Sequence, residues 1–188
     1  LLDGLENLDF IEPVKAQQRN WIGRSEGCEV DFQIAGTDER LRIFTTRADT
    51  MFGATYMVLS PEHPMIEKLA DRIHNIDELR KYREQAANKS DFERAEMQKD
   101  KTGVEIKGLM AINPATGQQI PLWISDYILM GYGTGAVMAV PGHDERDWEF
   151  ARAFNLPIVE VVAGGDIEKE AYTDIDDGIL VNSGLLNG

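Results

Sequence analysis

Apolar and polar positions alternate from Cys28 onward. Cys28, Val30, Phe32 and Ile34 share one side, and Leu41 and Ile43 resume the same period after Gly36-Thr37-Asp38. A period of two marks a half-buried strand, and a Gly/Asp turn between two such runs predicts a hairpin. Met51 to Leu59 continues as an apolar, β-prone run in which Gly53 permits close approach of another segment. Further strand signals lie at Val104 and Ile106, Met110 and Ile112, Ile120 to Met130, Ala136 to Val140, Ile158 to Val162 and Ile179 to Val181. Turns are predicted at Asn113–Gly117, Pro141-Gly142 and Gly164-Gly165.

Two regions break this pattern. Residues 1–20 read as a lead-in with a short helical piece around Val14 to Arg19, strand signals being expected from Trp21. Residues 61–100 form a charged helical excursion: Pro64 starts one helix, whose apolar face is Met65, Leu69 and Ile73, and Ser90 with Glu93 is a capping-box signature for another. A last helix follows the Pro141-Gly142 turn. With Asp144 as its cap, Asp147, Phe150, Ala151 and Phe154 fall on one face, so a carboxylate sits on an apolar stripe. Strand-rich segments without regular strand–helix alternation favour a mixed α/β fold with a β-barrel-like core and peripheral helices.

Composition narrows the function classes. The chain has 188 residues, 43% of them hydrophobic, enough for the core of one domain. It lacks an apolar run of membrane-span length and a signal peptide, and it opens on Leu1, which is expected of a piece cut from a longer protein. The single cysteine, Cys28, excludes an internal disulfide and fits a reducing, cytoplasmic compartment. A net charge of −14 argues against global electrostatic attraction to nucleic acid, so any such contact is local or delivered by a larger assembly.

The candidate chemistry lies in two stretches, Thr45-Thr46-Arg47-Ala48-Asp49-Thr50 and Gly131 to Phe150. The first supplies hydroxyls, a cation and an anion at a strand end, and serves equally as a Thr/Asp turn bonding its own backbone. The glycines at 131, 133 and 135 fit neither G-x-G-x-x-G nor a P-loop, and a strand follows them rather than a helix. They read instead as close backbone packing that leaves room for a ligand. His143, Asp144 and Asp147 lack the companions of a metal site, as do His63 and His74, and Asp174–Gly178 is out of register for a calcium loop. A nucleophilic triad is likewise missing. Met138 and Val140 project to one side of their strand, with Asp147 just beyond the turn. An apolar pocket edged by an anion suits an amino acid. Spacing alone leaves Asp147 open between ligand binding and a short capping box reaching back to Asp144.

TTRADT (Thr45 to Thr50) and GYGTGAVMAVPGHDERD (Gly131 to Asp147), with NWIGRSEG near the start and VNSGLLNG at the end, closely resemble the editing domain, or connective polypeptide 1, of bacterial-type leucyl-tRNA synthetase. The isoleucyl and valyl sister domains differ around Met138 and in the threonine segment. Ala48 departs from the proline usual in the family. The resemblance implies that residues 1–188 are a single editing domain of a larger synthetase, with the ValRS/IleRS/LeuRS editing-domain fold. It implies hydrolysis of the ester of tRNA(Leu) mischarged with norvaline, isoleucine or methionine while Leu-tRNA(Leu) is spared, the alternative being a non-catalytic module that binds the tRNA 3′ end or an amino acid. Site roles follow from the same resemblance. Asp147 would bind the α-ammonium, Thr45 and Thr46 would hold the ester and attacking water, Met138 and Val140 would line the side-chain pocket, and Thr50 would block leucine. Leu129, Tyr132 and Arg47 would contact the terminal adenosine and 3′ end, with Asp144 supporting the loop. Neither metal nor other cofactor is implied. The partners implied are the tRNA 3′ end, the mischarged amino acid and the rest of the synthetase in cis, without a membrane.

Overall fold

Pro13 in its first turn and Gly23 at its end, with a φ of 62°, bound a helix that is longer than its apolar pattern. Helix α1 (Leu2–Leu5) packs on this helix, α2 (Glu12–Ile22), which contains the expected Val14–Arg19 piece. Trp21 thus belongs to the helix rather than to a strand, because Gly23 ends α2 and the first ladder begins only at Cys28. The computed structural model describes residues 1–96, 101–131, 133–174 and 178–188. The end of the helical excursion (97–100), Tyr132 and part of the acidic segment (175–177) lie outside the described residues.

The alternating pattern produces the expected hairpin. Strands β1 (Cys28–Ile34) and β2 (Arg40–Thr45) pair antiparallel from Cys28↔Thr45 to Gln33↔Arg40, burying Phe32, Ile34, Leu41 and Ile43 on one face. Only the end of the Met51–Leu59 run is a strand, β3 (Tyr56–Leu59). The hydroxyl of Thr50 donates to the Arg47 carbonyl at 3.0 Å, and Ala48–Gly53 coils into a 3₁₀ turn instead.

The excursion supplies α3 (Pro64–Lys68), α4 (Ile76–Ala87) and α5 (Asp91–Glu96). The capping box at its last helix is made: the Ser90 N–H donates to Glu93 at 2.8 Å, and the Glu93 N–H to the Ser90 hydroxyl at 3.3 Å. Next come β4 (Val104–Ile112), β5 (Gln119–Ile124), β6 (Ala136–Ala139), α6 (Glu145–Phe154), β7 (Val162–Ala163) and β8 (Ile179–Leu180). Strand β4 carries both strand signals of its region, joined through a register shift at Gly108, whose φ of +98° brings its Cβ position within 2.4 Å of the Arg72 carbonyl.

The main sheet runs β2-β1-β4-β5-β3-β6, and β6 returns against β2, so it nearly closes into a barrel. Alternation sorts β3 between two cores. Met57 and Leu59 face inward with Ile43, Leu122 and Met138, a cluster that α3 and α4 join through Ile66 and Leu79. Tyr56 and Val58 face outward, where α6 covers them with Phe150 and Ala151. Phe150 stacks on Tyr56 at 5.4 Å and meets Trp123 edge-on at 5.5 Å, which fixes α6 against the barrel wall. The mixed α/β, barrel-like fold with peripheral helices is the one expected.

Candidate functional site

Asp144 caps α6 as its position predicts, its carboxylate accepting the Asp147 N–H at 3.0 Å. Asp147 does not reach back to complete a capping box. Its Oδ2 accepts the Val140 N–H at 2.8 Å, and its backbone carbonyl accepts the Tyr56 hydroxyl at 2.8 Å. The side chain is 8% exposed and leads the buried face continued by Phe150 and Ala151. Burial, then the nearby Asp144 charge, push its carboxyl from 3.8 up to about 8, against the Val140 N–H, Lys101 and Arg146. A cation placed against such a carboxyl would restore its ionised form.

Met138 and Val140 belong to the inner core while Ala139 faces the outer one, so the two do project to the same side. Gly53 touches this wall: a Cβ there would lie 3.2 Å from Val140 Cγ1 and 2.8 Å from Val161 Cγ2. The threonine segment therefore enters β3 at the rim where β6 ends, and Tyr56 pairs with Ala139. The sequence brings the two motifs to one end of the barrel, although 85 residues separate Thr45 from Met130 and the glycine run.

Within that segment the local-turn chemistry is realised. Thr45 Oγ1 accepts the Arg47 N–H at 3.0 Å, and Thr50 is buried by its bond to the Arg47 carbonyl. Arg47 forks onto Asp49 at 3.0 and 2.7 Å, and this bond holds the Asp49 carboxyl below its usual value. Thr46 is exposed. Space above the glycines is open at Gly131 and Gly133, whereas at Gly135 it is filled, the Met130 sulfur lying 2.3 Å from where a Cβ would stand. Leu129 is half-buried beside this run, and Tyr132 lies outside the described residues.

The residue that sequence reasoning missed is His143. It is buried, its Nε2 accepts the Val161 and Val162 N–H groups at 2.9 and 3.0 Å, and its Nδ1 faces the Tyr172 carbonyl at 2.9 Å. Those bonds fix a neutral Nδ1–H ring, and burial pushes its pKa below 6.5. They also correct the expected Ile158–Val162 strand. The amides of Val161 and Val162 are used by His143, and only Val162–Ala163 forms a ladder, with β8. A surface hollow of about 520 Å³ lies over the helix start, lined by His143, Asp144, Glu145, Arg146 and Thr173 but not by Asp147. Among the described residues, His, Cys, Asp and Glu nowhere gather in threes to hold a metal.

The leucine–tRNA ligase of Alkaliphilus oremlandii is 63% identical over the whole chain, and that of Chloroherpeton thalassium is 57% identical over 97% of it. The chain spans 23% and 22% of those relatives' lengths. A crystal structure of the ternary complex of agnB2 LeuRS, tRNA and LeuAMS from Agrobacterium radiobacter K84 superposes with a TM-score of 0.70 at 38% identity, covering 89% of this chain and 20% of that one. The model of the leucyl-tRNA synthetase editing domain matches residues 19–188. By that match the chain belongs to the leucyl-tRNA synthetase editing-domain family.

Proposed function

We propose that the chain hydrolyses the aminoacyl ester of tRNA(Leu) mischarged with norvaline, isoleucine or methionine and spares Leu-tRNA(Leu), acting as a single editing domain within a larger cytoplasmic synthetase. The observation that carries this reading is the buried Asp147 carboxyl with its raised pKa, bonded to the Val140 N–H at the end of the strand that carries Met138. In it, the α-ammonium of the misattached amino acid meets Asp147, and its side chain lies against Met138 and Val140. Thr45 and Thr46 hold the ester and a water molecule. Attack by that water on the carbonyl breaks the ester bond to the ribose, assisted by the vicinal hydroxyl, and releases the amino acid. Positioning supplies most of the acceleration, since the ester is already reactive.

Leu129, Tyr132 and Arg47 hold the terminal adenosine and 3′ end, while Asp144 supports the helix start. Thr50 occupies the space a γ-branched leucine side chain needs. A second, exclusionary site is physically required because a methylene discriminates by only about 1–3 kcal/mol in one pocket. No cofactor enters the chemistry, and hydrolysis is expected to survive chelators.

The test uses the ligase that carries this chain and Ile-tRNA(Leu). Wild type should release isoleucine, and Asp147→Ala should not. Equal hydrolysis by the two proteins overturns the assignment, and intact Ile-tRNA(Leu) with wild type leaves a binding-only module.

A further inference from the structure

The described residues between β5 and β6 form neither helix nor strand, yet they include Leu129 and the glycines at 131, 133 and 135. Their backbone groups must find partners outside a ladder. Three of them find partners on the helical excursion. The Asp126 N–H donates to the Tyr82 hydroxyl at 3.1 Å, and the Asp126 carboxylate, 1% exposed, takes the Lys89 ammonium at 2.7 Å. Arg94 does most of the holding. Its Nε donates to the Asp126 carbonyl at 2.7 Å, its Nη2 to the Ile128 carbonyl at 3.1 Å, and its Nη1 to Glu62 at 3.1 Å.

A guanidinium only 6% exposed is costly to bury, and it is tolerated here because its fork is satisfied on three sides. Being planar, the fork also fixes the two carbonyls relative to one another, two residues apart. The chain is pinned again just beyond, where Met130 packs on Gly135. Leu129 stands between these two anchors. The barrel itself is closed by strand pairs that do not involve α5, so the clamp serves the loop rather than the sheet.

We propose that Arg94 is a positioning residue for the nucleoside side of the site, acting through the Asp126 and Ile128 carbonyls to place Leu129 and the open glycines against the terminal adenosine. This rests on the editing reading given above.

The experiment measures hydrolysis of norvalyl-tRNA(Leu) by the full-length ligase carrying the chain, with Arg94→Lys and Arg94→Met, below the melting temperature of each variant. A displaced nucleoside contact should raise KM roughly tenfold or more while kcat stays near wild type. A merely structural role lowers the active fraction, and hence the apparent kcat, at unchanged KM. Lysine keeps the charge but loses the fork, so it should fail to rescue KM; this variant carries the test if the methionine protein does not fold. Leu129→Ala should raise KM on its own, and Arg94→Lys added to it should cost little more, because both changes remove one contact. Unchanged KM in the Arg94 variants, or additive losses in the pair, overturns the proposal while leaving the editing reading intact. A wild-type enzyme that leaves norvalyl-tRNA(Leu) uncleaved overturns both.

Discussion

Asp147→Asn should make the protein more stable while destroying hydrolysis. In the folded chain the carboxyl is pushed from 3.8 up to about 8, so ionising it in place opposes folding. The sign follows from proton counting: between these two values the folded state holds a proton that the unfolded state has lost, and stability falls as pH rises. The contribution is intact below the unfolded value and lost by the time pH passes the folded one. Each tenfold displacement is worth about 1.4 kcal/mol, so the penalty grows to several kcal/mol by about pH 8. Asparagine keeps the shape and an oxygen for the Val140 N–H, now at 2.8 Å, and removes the ionisation. Urea unfolding of both proteins at a series of pH values gives the difference directly. The two should be nearly equal near about pH 4, with the variant gaining up to about 1.4 kcal/mol per pH unit between there and about pH 8. A variant no more stable than wild type near neutrality, or a difference flat with pH, would refute the account of Asp147 as a carboxyl whose ionisation is penalised by burial.

Thr50→Ala should admit leucine, so that the ligase carrying the chain deacylates Leu-tRNA(Leu); leucine that stays protected removes Thr50 as the gate. Asp144→Ala deletes the cap bond to the Asp147 N–H, now at 3.0 Å, and should cost about 1 kcal/mol in denaturant unfolding. Protonating His143 would set an Nε2–H against two amide donors, so its contribution to stability is present above 6.5 and is lost as pH falls through its lowered folded value. Unfolding midpoints should therefore decline on the acid side less steeply in His143→Asn than in wild type, and parallel slopes would refute the assignment of His143 as a neutral staple.

Features set by neighbouring residues were legible in the sequence. The β1–β2 hairpin follows from an alternation of two, the Asp144 cap from an aspartate ahead of an apolar helical face, and the Ser90–Glu93 box from its spacing. What escaped depends on partners far along the chain. The Asp147 carbonyl is bonded by Tyr56, 91 residues away, and His143 is held by groups 18, 19 and 29 residues on. The expected strand at Ile158–Val162 failed for that reason: its apolar composition is right, but two of its amides go to a side chain. Met51–Gly53 failed more locally, when the Thr50 hydroxyl captured the Arg47 carbonyl and tightened the turn. The pairing of the two motifs at one rim required the β3–β6 register, which periodicity does not specify.

The raised pKa of Asp147 reflects its charged neighbours as well as its burial. Two cations, Lys101 and Arg146, act on its carboxyl, but they do not offset the cost of burial and of the nearby Asp144 charge. Lys101 is moreover paired with Glu149 at 3.1 Å, which limits what it can offer Asp147. Among the described residues the only hydrogen bond its carboxylate accepts is the Val140 amide, and Asp144, one turn back, adds like charge. An internal lysine at this position would satisfy the carboxylate and close the site to a cationic ligand. In the editing reading proposed above, a cation delivered from outside would take that place, and Met138 and Val140 would restrict which side chain accompanies it. Stability is given up at Asp147 where the editing reading needs an ammonium receptor, and the cost is contained because Phe150, Ala151 and Tyr56 secure the same helix against the barrel.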